Sequence, residues 1–128
     1  MLLLDEHMLT KQLEKLLRWH LPAKKIGRGV GIKGMDDRNQ IIPMLHRLSK
    51  TTFFTHDLGF YEKKFCHPRF CIIILRVDRY EAAEYVRRFL KHPKFDTHNK
   101  RMGWVVEVHK SIIKGMRVGK TEEIKFTW

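Results

Sequence analysis

The sequence predicts an α/β fold: a three-layer α/β/α sandwich around a mainly parallel central sheet, with an antiparallel β extension at the C-terminal end. Three observations lead there. Apolar strand-like runs alternate with segments of helical period over residues 1–92, the pattern of βαβ units. Cys71-Ile72-Ile73-Ile74-Leu75 is an unbroken apolar run, as expected of a strand buried on both faces of a parallel sheet. Beyond Pro93 only short strand-like pieces follow.

Leu2-Leu3-Leu4 is a short apolar run with the character of a buried first strand. Leu9, Leu13, Leu16 and Leu17 then recur at helical spacing, with Lys11, Lys15 and Arg18 off that face, so a helix is expected over 9–19, ended by Pro22. Residues 25–30 form a weak strand before a turn rich in glycine (Gly27, Gly29, Gly31, Gly34). Asp36-Asp37 suits the positive start of a helix whose apolar face is Ile41, Ile42, Leu45 and Leu48. Pro43 would remove an interior hydrogen bond, so this helix is kinked or its main body starts near Ile42. Thr51–Thr55 is a strand by its β-branched and aromatic content, and 71–75 is the central strand. Asp78 with Glu81 predicts a capping box. The helix it opens runs to about Lys91, with Ala82, Val86, Phe89 and Leu90 inward and a Glu84–Arg88 pair outside. Strand-like pieces at 104–108, 112–118 and 123–127, with a turn at Gly119-Lys120, complete a predicted β meander. One domain over 1–128 is expected, with an α/β core at 1–92 and a basic, β-rich extension at 93–128.

Composition narrows the function classes. At 43% hydrophobic residues the chain can bury a core, and no apolar run approaches the roughly 20 residues that span a bilayer. The first residues lack a basic segment and a small-residue cleavage site, so a signal peptide is not expected. Two cysteines, Cys66 and Cys71, are too few for a disulfide framework, and a cytoplasmic location is expected. Their C-x4-C spacing lacks the second pair that structural zinc requires. Lys and Arg exceed Asp and Glu by 26 to 14, a net charge of +12, beyond what solubility needs in so small a domain. A polyanion or an acidic protein is the partner such a surface suits.

Acidic residues fall where an open parallel sheet binds its ligands, outside the carboxyl ends of its strands. Asp5 follows the first strand directly, Asp57 follows 51–55, and Asp36 and Asp37 open a helix after the glycine-rich turn. Carboxylates gathered at one edge repel unless a cation sits between them, and Mg²⁺ and Mn²⁺ prefer such oxygens. A metal so held serves phosphodiester cleavage. Each acid also has a plainer explanation: Asp36 or Asp37 as a helix cap, Asp57 as the start of a turn before Gly59.

Met1-Leu2-Leu3-Leu4-Asp5-Glu6-His7 resembles the opening of PIN-like families, a strand followed by Asp-Glu-Asn. Gly34-Met35-Asp36-Asp37 before Ile41-Ile42 is similar to their Gly-x-x-Asp ahead of the second helix. Thr55-His56-Asp57 with Phe60 resembles their Thr-x-Asp-x-Asp-Phe, and 71–76, ending in Leu75-Arg76, matches the next strand. The likeness covers roughly residues 1–90 and is nearest to compact bacterial PIN-like proteins, relatives of VapC-type toxin ribonucleases. It implies a Mg²⁺- or Mn²⁺-dependent ribonuclease with Asp5, Asp37 (or Asp36) and Asp57 as the matched acids. The chain departs from the pattern at Gly59, which stands where a second acid is expected, and at His7 in place of Asn. Pro43 interrupts the second helix, and Glu62 is the nearest substitute for the missing acid.

Glu6, Thr55 and His56 are auxiliary candidates: Glu6 as a further carboxylate, Thr55 as a donor to a ligating carboxylate or metal-bound water, His56 as a group reaching phosphate or metal. Lys24, Lys25, Arg28 and Lys33 around the glycine-rich turn suit backbone phosphates, as do Lys110, Lys114 and Arg117 of the C-terminal hairpin. That turn lacks the Gly-Lys-Ser/Thr of a nucleotide-binding loop. Trp104, Phe126 and Trp128 could stack bases, though such aromatics more often pack. The expected function is an endoribonuclease acting on single-stranded RNA, as the toxin of a toxin–antitoxin pair with an acidic antitoxin as partner. A catalytically weak PIN-like module that binds nucleic acid or protein is the alternative, and Gly59 is the feature that favours it. A phosphatase would share the metal–carboxylate logic but lacks a nucleophile motif. Trp19 or Trp128 could serve a homodimer interface.

Overall fold

The computed structural model describes residues 1–31, 34 and 37–128, the side chains of Asp37 and Arg38 excepted. In chain order the elements are β1 (Leu2–Leu4), α1 (Thr10–Arg18), β2 (Ala23–Ile26), β3 (Gly29–Val30), a π-helical turn (Asp37–Ile41) leading into α2 (Ile42–Leu48), β4 (Thr51–Thr55), β5 (Phe70–Leu75), α3 (Ala82–Lys91), α4 (His98–Arg101), β6 (Trp104–Val108), β7 (Ile112–Arg117) and β8 (Ile124–Thr127). All eight strands form one sheet in the order β3-β2-β1-β4-β5-β6-β7-β8. Every pairing from β3 to β6 is parallel; β7 and β8 are antiparallel. Among the described residues no helix is long and apolar enough to cross a membrane.

Alternation along the strands divides the core between the two faces of the sheet. Leu4, Phe54, Ile73 and Val106 join one apolar cluster with Leu13 and Leu16 of α1 and Val86 and Phe89 of α3. Leu3, Phe53, Ile72 and Val105 join a second with Met44 and Leu45 of α2 and with Phe60. β5 is completely buried from Phe70 to Leu75, as its unbroken apolar run requires. Cys71 lies within it, and Cys66 lies half-buried in the preceding loop; both are free thiols.

Two local rules decide the helices. Pro43 occupies the first turn of α2, where its missing N–H costs nothing, so the body of the helix begins at Ile42. In α1 the buried stripe is Gln12, Leu13 and Leu16; Leu17 falls at its edge and is exposed, against expectation. Gln12 has a specific task. Its Oε1 accepts from the N–H of Ala83, one of the donors left open at the start of α3, and its Nε2 donates to the carbonyl of Tyr80. We expect Gln12→Leu to lower stability by about 2–3 kcal/mol in urea unfolding, because it orphans a buried donor and an acceptor together. A loss below about 0.5 kcal/mol, the scale of an ordinary surface substitution, would show the clamp to be dispensable.

The C-terminal region differs from the expected meander. Trp104–Val108 pairs parallel to β5, so only β7 and β8 are antiparallel and residues 93–128 continue the main sheet. The cause is α3 and the segment after it, which carry the chain back across the sheet before β6 begins. Asp78 accepts from the N–H of Tyr80 and opens a short 3₁₀ turn, but Glu81 does not complete a capping box; it pairs with Lys110 instead. Glu84 pairs with Arg87, since the Arg88 guanidinium lies 4.2 Å from the Trp128 ring centre. Trp104 is buried against Phe95 and Phe126, which removes it as a base-stacking surface.

Candidate active site at the carboxyl edge of the sheet

From β1 the chain moves to β2 on one side, and β4 lies on the other. The order therefore reverses between β1 and β4, and the crevice outside their carboxyl ends is the topological switch point. Asp5 and Asp57 flank it. The pairing of Leu4 with Phe54 is prolonged by the Asp5 N–H, which donates to the Phe54 carbonyl at 2.9 Å. Asp5 therefore stands opposite Thr55. By the two-residue period, Asp5 follows Leu3 and Thr55 follows Phe53 onto the face where α2 packs.

Thr55 ties the acids together. Its buried hydroxyl donates to Asp5 Oδ2 at 2.6 Å and accepts from the N–H of Asp57 at 3.0 Å. Asp5 is 5% exposed. Asp57 Oδ1 accepts from the Gly59 N–H at 2.8 Å, which fixes the turn after β4. Asp5 Oδ1 and Asp57 Oδ2 accept no hydrogen bond among the described residues, so each carboxylate keeps an uncommitted oxygen. Both acids line one cavity of about 310 Å³, together with His7, Met8, His56 and Arg79. A larger groove, about 670 Å³, runs along α1 but holds a single carboxylate, Glu14, and so offers no comparable pair.

The auxiliary candidates separate clearly. Glu6 accepts from the Gly34 N–H through both oxygens, at 2.8 and 2.9 Å, which holds the Gly34 backbone beside the end of β1. His56 places Nδ1 2.9 Å from the Leu75 carbonyl, a contact that requires Nδ1 to carry the proton. Its Nε2 is buried and has no hydrogen-bond partner among the described residues. Glu62 lies outside the cavity and pairs with Lys64, so it does not replace the acid absent at Gly59. Asp36 and Lys33, and the side chain of Asp37, lie outside the described residues; the backbone of Asp37 opens the π-helical turn that leads into α2. Among the described residues no three His, Cys, Asp or Glu side chains are arranged to hold a metal ion.

The basic residues expected to meet phosphate do not form one patch. Lys24, Lys25 and Arg28 lie on the β2 flank. Lys110 follows β6 at the carboxyl edge, whereas Arg117 pairs with Trp104 at the opposite end of that strand. Lys114 lies between them and is engaged by Glu107 and Glu123, at 3.5 and 3.8 Å. Two cationic residues at the site escaped sequence reasoning, Arg76 and Arg79. The signal was present: both follow β5 at the carboxyl edge of the sheet, where Arg79 lines the cavity of Asp5 and Asp57 and Arg76 lines the neighbouring cleft.

No family profile, curated protein or solved structure matches the chain.

Proposed function

We propose that the chain is a PIN-like, metal-dependent endoribonuclease that cleaves single-stranded RNA at the crevice between β1 and β4. The observation that carries this reading is the pair of acids at the switch point, linked through the Thr55 hydroxyl, which bonds the Asp5 carboxylate and the Asp57 N–H, and both lining one cavity. Two carboxylates side by side suit a hard divalent cation, and Asp37 or Asp36 is the proposed source of a third. The helices on both faces of the sheet, seen in the two apolar clusters, support a three-layer PIN-like sandwich. Free thiols suit a reducing, cytoplasmic setting.

In this reading Asp5 and Asp57 hold Mg²⁺ or Mn²⁺. The bound ion would polarise a phosphoryl oxygen and acidify a water. Thr55 fixes the direction of the Asp5 carboxylate. Arg79, on the cavity wall, offers charge-assisted donors to a phosphate. The direct test is incubation with several single-stranded RNAs in Mg²⁺ or Mn²⁺ and again in excess chelator. Cleavage with either metal and none in chelator is expected; no cleavage under any condition would overturn the enzymatic reading.

One observation favours a catalytically weak binding module instead. Gly59 brings no carboxylate, and its N–H occupies one of the Asp57 oxygens. An acidic antitoxin as partner, or a second copy of the chain, is compatible with either reading and rests on the charge balance and the aromatic surface alone.

A further inference from the structure

The cavity of the two acids adjoins a second cleft along the carboxyl ends of β5 and β6. His56 and Arg79 line both. The second cleft, about 540 Å³, carries Arg76, Arg79 and Lys110 against one acid, Asp78. Asp78 is already committed through Oδ1 to the N–H of Tyr80. Arg79 makes no ion pair or hydrogen bond among the described residues. Lys110 meets Glu81 at 3.5 Å, but the lysine is exposed and the glutamate half-exposed, where such a pair is readily exchanged. Arg76 is held by Glu107, a nearly buried carboxylate that also faces His109 and Lys114. Glu107 thus meets both Arg76, which lines the cleft, and Lys114, which does not.

We infer that this cleft binds the sugar–phosphate backbone of a single nucleic-acid strand, with Arg79 and Lys110 as its phosphate-binding cations and Arg79 as the hand-over point to the carboxylate pair. The inference rests on the proposed phosphodiester chemistry, because a strand with one phosphate at Asp5 and Asp57 must leave along an adjoining wall. The wall on this side carries uncommitted positive charge. The flank of Lys24, Lys25 and Arg28 lies across β1, on the far side of the crevice. The choice of a single strand rests on the proposed single-stranded substrate; Tyr80, although 68% exposed, lines the groove along α1 and not this cleft.

The test is binding of a short fluorescent RNA strand to the intact chain in excess chelator, where cleavage cannot contribute, across a salt series. In the double variant Arg79→Gln/Lys110→Gln the affinity should fall roughly tenfold or more. The slope of log affinity against log salt should shrink by about 1.4, about 0.7 for each phosphate that is no longer neutralised. Lys91→Gln/Lys94→Gln removes the same charge elsewhere on the surface and should leave the slope unchanged. All four side chains are exposed, and unaltered melting curves would show the variants folded. Equal losses in the two double variants would overturn the cleft in favour of diffuse attraction. So would failure of the parent to bind the strand, or binding of an acidic peptide in its place with the same dependence on Arg79 and Lys110. The two readings fail separately: a parent that binds through the cleft but never cleaves loses the nuclease and keeps the cleft, and a parent that cleaves while the Arg79/Lys110 variant binds normally does the reverse.

Discussion

Asp5→Asn is expected to reduce RNA cleavage to about one hundredth of the parent rate or less, since losing one group that stabilises developing charge typically costs that much. It should leave the fold intact. Asp5 is nearly buried, and its Oδ2 accepts from Thr55. The asparagine carbonyl can accept the same hydrogen bond and turn its amide toward the cavity, so no buried group is orphaned. What disappears is the negative charge, which is also what repels Asp57 across the cavity in the absence of a cation. In chelator the variant should therefore melt no lower than the parent. On adding Mn²⁺ it should gain less stability, because binding to the folded state alone raises stability by about 2.7 kcal/mol at a hundred times the dissociation constant. Retention of parental cleavage by a clean preparation of Asp5→Asn would remove Asp5 from the site. Lost cleavage with an unchanged Mn²⁺ response would place Asp5 outside the metal shell.

The parts of the fold that can be read from the sequence are those whose local pattern agrees with their tertiary surroundings. The strand at β5 is legible because burial on both faces leaves no reason for alternation. The start of α2 is legible from Pro43, which is tolerated only in a first turn. β6 is not legible as a parallel strand, because its direction depends on where α3 and α4 return the chain, and nothing within Trp104–Val108 encodes that. The Gln12 clamp is equally hidden. A lone glutamine on a basic helix looks like solvent-facing surface until the start of α3 is brought against it.

The site divides in the same way. Asp5 and Asp57 are legible because each closely follows a strand, and the switch-point rule turns that into proximity. Their link through Thr55 follows from a register that only the structure supplies. Charge is a weaker guide. A count of basic residues points to Lys114 and Arg117, yet Lys114 is committed to acids on the sheet and Arg117 lies at the wrong end of its strand. Arg79, isolated among acids and an aromatic in the sequence, is the cation that stands uncommitted at the crevice among the described residues.

Thr55→Val should damage the fold and the site together while leaving both acids in place. The two side chains have nearly the same shape, so the substitution leaves no void and removes only the hydroxyl. That hydroxyl makes two bonds in a fully buried position, one of them to a carboxylate. Losing a hydrogen bond to a charged group costs about 1.5–3 kcal/mol, and leaving the Asp57 N–H unpaired adds about 1–3 kcal/mol. A combined loss of about 3–5 kcal/mol is a large share of the total stability of a domain, and should lower the melting temperature by about 10 °C or more. Thr55→Ser keeps the hydroxyl and removes one methyl, so it should cost only about 1 kcal/mol. Metal affinity should fall by about 10–100-fold in the valine variant, the usual effect of removing the partner that orients a ligand. The double variant with Asp5→Asn separates orientation from bulk stability. With the charge gone, Thr55→Val should cost about 1–2 kcal/mol less than it does in the parent, a coupling expected only if the hydroxyl acts through the Asp5 carboxylate. Additive losses in chelator would mean that Thr55 serves the sheet and not the site.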